Sequence, residues 1–216
     1  MPAESLADLK KRAVKIVALL KKQYPDAKCS LDFGTPHQLM VATILSAQCT
    51  DERVNMVTPD LFEKYQTVEN FAGAELADLE QMVYTTGFFK NKAKAIKESA
   101  QQLIERHGGV MPRTIDELTK LKGVGRKTAS VILGAGFGLA EGIVVDTHVG
   151  RISRLLGFTR KNDPAKIERE LMKIIAAEDW IAYSHLLIYH GRATCKARTP
   201  DCPNCVLKKL CPSAKL

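Results

Sequence analysis

Lys127, Asp146 and four cysteines near the C-terminus are the residues of this 216-residue chain whose types and spacing could do chemistry. Lys127 stands in LKGVGRKTAS, residues 121–130, just after a Gly-x-Gly turn and at the head of an apolar run. A lysine amine there could attack a sugar C1′, expel the attached base and become a Schiff base, from which β-elimination cuts the strand. The attack demands a neutral amine, which desolvation, a positive helix terminus and the adjacent Arg126 would all favour. Asp146, in VVDTH, offers a carboxylate that could stabilise oxocarbenium-like charge and take a proton from the lysine or from a water. Taken singly, Lys127 reads as a solvated first-turn lysine and Asp146 as the N-cap of a helix beginning at Thr147. Together they suggest glycosidic chemistry.

The glycines say on what. Gly123 and Gly125 let the backbone turn tightly and approach a ligand, and the amides opening the next helix favour an anion. The stretch is not a Walker loop, because Arg126 and not glycine precedes Lys127 and no strand feeds the turn. A nucleic-acid backbone phosphate is then the better ligand, met by Lys122, Gly123, Val124, Gly125 and Arg126. Residues 114–121 lead into the turn and about 126–136 lead out, which makes a helix-hairpin-helix. A plain Gly-rich helix connection is the competing reading.

Cys195, Cys202, Cys205 and Cys211 follow the spacing C-x6-C-x2-C-x5-C. Four thiolates packed so closely in sequence bind metal. Structural zinc favours two short pairs, whereas one tight pair with a long first gap suits a larger group such as a [4Fe–4S] cluster. On spacing alone zinc stays open. Cys29 and Cys49 read as ordinary half-buried thiols. Cysteines in a reducing compartment argue against disulfides.

The elements that must position these residues are helical almost throughout. Ser5 and Asp8 form a capping box ahead of an apolar face at Leu6, Leu9, Ala13, Ile16, Val17 and Leu20. Thr35-Pro36 opens a helix reaching about Gln48. Asn91 opens another, closed by Gly108-Gly109. Thr114 with Glu117 forms a second capping box, for a short helix to Leu121. Asp163-Pro164 opens a helix carrying Ile167, Leu171, Ile174 and Ile175, and a last helix runs from about Asp179 to Gly191. Only Ile143–Val145 alternates like a strand. The net charge of +8 suits a polyanionic partner. Residues 90–97, KNKAKAIK, hold four lysines and no acid, and residues 192–216 hold six basic residues against one aspartate. No run of eighteen apolar residues and no signal-peptide core occur, which predicts a soluble cytoplasmic protein.

LKGVGRKTA, then VVDTH, then HGRATC and the four-cysteine loop closely resemble the endonuclease III family of bacterial DNA glycosylase/AP lyases, from about residue 10 to Cys211. The resemblance implies an all-α, two-lobed fold with a DNA cleft between the lobes. One lobe is a six-helix barrel at about 29–139 containing the hairpin; the other joins 1–28 to 140–216 and carries the cluster. It implies that Lys127 is the Schiff-base lysine, Asp146 the catalytic aspartate and the four cysteines the ligands of a [4Fe–4S] cluster. Gln48, in LSAQ, matches the glutamine that fills the gap left by an extruded nucleotide. Phe88, in TTGFFKNKA, occupies the place of a wedge between bases, where many relatives carry leucine. His148 lines the cleft near Asp146, and Lys90–Lys97 join the hairpin in gripping phosphates.

These expectations converge on a monomeric enzyme of damaged double-stranded DNA, without membrane or nucleotide cofactor, that releases oxidised pyrimidines and cleaves the abasic site by β-elimination. A related adenine-excising glycosylase fits less well, because such relatives lack the lysine at this position. A non-catalytic helix-hairpin-helix module with a structural metal explains charge, glycines and cysteines but leaves the pairing of Lys127 with Asp146 to coincidence.

Overall fold

The computed structural model describes residues 4–215, and every regular element among them is a helix. The chain divides into two compact units, one formed by Cys29–Glu141 and the other by the residues up to Lys28 together with those from Gly142 onward.

The Cys29–Glu141 unit is organised on α2 (Pro36–Leu45), whose Leu39, Met40, Val41, Ala42 and Leu45 are fully buried. A helix apolar on all sides belongs inside a core, and α3 (Asp51–Lys64), α4 (Val68–Gly73), α5 (Leu76–Met82) and α6 (Phe89–His107) supply that core with Leu61, Phe71, Leu79, Ile96 and Leu103. Thr35 and Pro36 cap and start α2 as the sequence predicts, Thr35 accepting from the Gln38 amide. Gly108, left-handed at φ 58°, ends α6. Two short helices, α7 (Ile115–Leu118) and α8 (Arg126–Val131), flank the Gly-x-Gly turn, and α8 runs on as a π segment over Ile132–Gly136.

In the other unit α1 (Leu6–Gln23), α9 (Thr147–Leu155), α10 (Pro164–Leu171) and α11 (Trp180–Ala193) bury Ile16, Leu20, Ile152, Leu171, Tyr183 and Leu187. Arg12 ties α1 to the C-terminal segment, donating to the Leu156 carbonyl at 2.7 Å and the Leu210 carbonyl at 3.1 Å.

Several expectations need correction. Ile143–Val145 forms no strand: no partner strand exists among the described residues, and the segment runs irregularly into the cap of α9, with Ile143 buried. Helix α2 stops at Leu45, short of Gln48. Helix α6 starts at Phe89 and not Asn91, entered through a left-handed backbone with no side-chain cap. Thr114 caps α7 through the Glu117 amide, but the Glu117 carboxylate turns to Lys120 instead of closing the box. A reciprocal box does occur at Thr67 and Asn70.

Candidate functional site

The Gly-x-Gly turn is pinned from below by Leu121 and Val124, both buried, with the Val124 amide donating to the Leu121 carbonyl at 3.1 Å. Val124 therefore presents only backbone outward. Gly123 is left-handed at φ +77°, and a Cβ there would lie 3.0 Å from Ala95 Cβ and 3.5 Å from Ile44, so both conformation and packing require glycine. Gly125 has no such internal reason: its φ is −87° and an added Cβ would meet nothing within 4 Å. The turn thus separates a glycine that builds the hairpin from one that keeps its outer face bare. Lys122 is exposed, its backbone amide donating to Gln102 Oε1 at 2.8 Å and its ammonium lying 3.9 Å from Glu98.

Arg126 and Lys127 follow, both exposed, in the first turn of α8. The ladder of α8 begins with the Ala129 amide on the Gly125 carbonyl at 2.9 Å, and the amides ahead of it have no acceptor within the helix. The Lys127 side chain makes no hydrogen bond or ion pair among the described residues.

Gln48 and Phe88 share a property their residue types do not announce. They are the two non-glycine residues with positive φ among those described, at 53° and 49°. Such backbone is strained for a side chain and gathers at functional positions. Gln48 is exposed, without a side-chain hydrogen bond among the described residues. Phe88 is 63% exposed, directly after left-handed Gly87. Its neighbour Phe89 turns to Tyr84 instead, ring centroids 4.8 Å apart.

The lysine run 90–97 does not act as one face. Lys92 is buried, donating to the Leu45 carbonyl at 2.8 Å and the Thr86 carbonyl at 2.7 Å, and Lys97 donates to the Ala74 carbonyl at 2.7 Å. Lys90 and Lys94 remain exposed, Lys94 lying 3.8 Å from Glu98. Counting lysines overstated the phosphate-facing charge, because helical periodicity turns Lys92 into the core.

In the other unit Asp146 is half-buried and caps α9, Oδ1 accepting from the Val149 amide at 2.7 Å. That is the bland role the sequence allows it, and it fixes the carboxylate's orientation. His148 packs its ring over Gly191: a Cβ at Gly191 would sit 2.3 Å from His148 Nδ1, an atom buried without a hydrogen-bond partner. The glycine of HGRATC is therefore the seat of this imidazole.

Cys195, Cys202, Cys205 and Cys211 line one cavity of about 260 Å³. No three His, Cys, Asp or Glu side chains among the described residues converge closely enough to hold a single metal ion. A polynuclear group held by four sulfurs fits a cavity of this size with these donors. Burial pushes the Cys205 thiol up, the Leu207 amide at 3.4 Å from its sulfur pulls it down, and the three other cysteines push it up again. Burial likewise raises Cys211. Four thiolates in one pocket need a cationic centre to coexist. Two neighbours complete the wall: Arg151, which no motif marks, and His190, which opens HGRATC without an assigned role. Arg151 donates to the Cys195 carbonyl at 2.7 Å with its other guanidinium nitrogen 3.7 Å from the sulfur, and His190 Nε2 lies 3.6 Å from the Cys205 sulfur. One turn of α9 separates Arg151 from His148, a spacing that marks a shared face but not what it faces.

Gln48, Phe88 and the hairpin with Lys127 thus belong to the Cys29–Glu141 unit, while Asp146, His148 and the cysteines belong to the other. No described helix is long and apolar enough to cross a membrane.

Residues 41–177 match the family model described as HhH-GPD superfamily base excision DNA repair protein. The chain is 51% identical over 210 residues to endonuclease III of Synechocystis sp., covering 97% of this chain and 96% of that protein. It is 46% identical over 189 residues to endonuclease III of Bacillus subtilis, covering 87% and 86%. Two solved structures, a non-covalent endonuclease III–DNA complex and a trapped endonuclease III–DNA covalent intermediate, each superpose with a TM-score of 0.88 at 44% identity, over 95% of this chain and 96% of theirs.

Proposed function

The chain belongs to the endonuclease III family of the HhH-GPD superfamily and is a bifunctional DNA glycosylase and AP lyase of base excision repair, and from that premise we propose which of its residues carry the reaction. Lys127 is the nucleophile. Its Nζ attacks C1′ of a damaged nucleotide, and the base departs with the electron pair of the glycosidic bond and takes up a proton. The amine then loses a proton, and its lone pair forms the C1′=N bond as the C1′–O4′ bond breaks and O4′ takes up a proton. A proton leaves C2′, and the C3′–O bond breaks with its electron pair on the departing phosphate, cutting the strand. Water hydrolyses the imine and restores the lysine. Asp146, its orientation fixed by the Val149 amide, stabilises the positive charge that develops on the sugar and relays protons to and from the amine.

DNA is the partner. The outer face of the hairpin at Gly125–Arg126 takes a backbone phosphate, and Lys90 adds charge to it. Gln48 and Phe88 enter the duplex where the damaged nucleotide has left the stack. We read oxidised pyrimidines as the bases released, Cys29–Glu141 as the barrel domain, and the remaining residues as the iron–sulfur domain. Cys195, Cys202, Cys205 and Cys211 hold a [4Fe–4S] cluster, which when bound supplies the cationic centre their thiolates need.

The observation that carries the assignment is Lys127 itself: exposed, its side chain unpaired among the described residues, and in the first turn after the hairpin, in a chain 44% identical to a protein trapped covalently on DNA. Strand cleavage by Lys127→Gln on a duplex bearing one oxidised pyrimidine tests it. The variant should bind that duplex within a few-fold of wild type and cut it at least about 1,000-fold more slowly; undiminished cutting would put the nucleophile elsewhere.

A further inference from the structure

Lys92 is 5% exposed, and its ammonium ends on two carbonyls, Leu45 at 2.8 Å and Thr86 at 2.7 Å. Leu45 is the last residue of α2, three before Gln48, and Thr86 lies two before Phe88. The Lys92 amide also donates to the Phe88 carbonyl, at 3.1 Å. One residue therefore grips both segments that lead to the left-handed positions Gln48 and Phe88.

The chemistry of the clip matters. A buried ammonium is costly unless its protons are taken up, and two charge-assisted bonds to carbonyls take up two of them. An apolar chain of the same length would fill the space but tie neither segment. Left-handed backbone at a side-chain-bearing residue persists only where its surroundings over-determine it, and Lys92 supplies that constraint on both sides.

We infer that Lys92 is a positioning residue for opening the duplex: by holding the Leu45 and Thr86 carbonyls it sets the spacing of Gln48 and Phe88 before DNA arrives. It touches no substrate. The inference rests on the reading that those two residues enter the duplex.

The test compares wild type, Lys92→Met, Lys92→Arg, Gln48→Ala and Phe88→Ala on two substrates that carry the same lesion, one fully paired and one within an unpaired bubble. Rates are taken per active site, counted by borohydride trapping on the bubble substrate. A paired duplex with 2-aminopurine beside an abasic analogue reports unstacking by fluorescence. Lys92→Met should lower the paired-to-bubble rate ratio by about tenfold or more and blunt the fluorescence rise, with Lys92→Arg between it and wild type. A ratio unchanged in Lys92→Met, with both rates falling together or not at all, would leave Lys92 an ordinary core residue and overturn the inference. Should Lys92→Met give no competent sites, Lys92→Arg decides by the same ratio: a fall of threefold or more supports the clip and a wild-type ratio overturns it. If Gln48→Ala and Phe88→Ala leave ratio and fluorescence untouched, the reading beneath the inference fails, and Lys92 with it. If they lower both while Lys92 variants do not, the inference fails alone.

Discussion

The carboxylate of Asp146 is a helix cap and, in the proposed reaction, a group of the chemistry as well. Its Oδ1 is committed to the Val149 amide, and asparagine caps a helix about as well as aspartate. Asp146→Asn should therefore leave stability within about 0.5 kcal/mol, measured by denaturant unfolding, yet slow base release by roughly 100-fold or more. Unchanged release would reduce Asp146 to a cap. Gly191 offers a second contrast at this scale. Any side chain there collides with the His148 ring, so Gly191→Ala should destabilise by about 1–3 kcal/mol, in the range of overpacking. His148→Ala should relieve most of that penalty in the double variant, which thermal or urea unfolding will show.

Among the elements, the hairpin separates two glycines that the sequence presents as equals. Gly123→Ala forces a side chain into left-handed backbone against Ala95 and should cost about 1–3 kcal/mol. Gly125→Ala meets nothing inside the protein; its stability should stay within about 0.5 kcal/mol, while DNA affinity falls several-fold in a binding titration. The reverse pattern would move the phosphate contact away from the turn. On α6 the exposed Lys90 and the carbonyl-bound Lys97 make a similar pair. Removing the Lys90 charge should reduce the salt dependence of DNA binding by about one ion, and removing that of Lys97 should leave the slope alone. The sequence reading could find α1, α2, α10 and α11 because caps and apolar spacing are local signals. It missed α3, α4 and α5, where Pro59 inside α3 and the shortness of α4 and α5 blur the period. It also misread Asn91 and Lys92. The start of α6 is set by left-handed Gly87 and Phe88, and backbone handedness at a phenylalanine leaves no trace in residue type. The motif residues stand out because chemistry restricts them to few types; Lys92 on the Leu45 carbonyl and Arg151 on the Cys195 carbonyl act between distant parts of the chain and leave no such signal.

Across the whole molecule, net charge of +8 and burial set its response to solvent. His37 sits in the core of the Cys29–Glu141 unit, edge-on to Phe71, and burial pushes its pKa from 6.5 down to about 4, with Glu69 opposing. The unfolded chain binds this proton below pH 6.5 and the folded one does not until about pH 4. Stability from His37 is thus complete above pH 6.5 and lost as pH falls towards 4, by roughly 2–3 kcal/mol. Urea unfolding at pH 7 and pH 4.5 should show His37→Phe losing about 2 kcal/mol less than wild type over that interval; equal losses would place the titrating group elsewhere. Everything proposed for the chain depends on the Lys127 amine that begins the reaction. Borohydride reduction of the protein turning over a duplex with one oxidised pyrimidine, followed by mass spectrometry of the cross-linked peptide, reads that amine directly. The account predicts one reduced sugar adduct, on Lys127; an adduct on any other residue, or released base with no adduct, would contradict it.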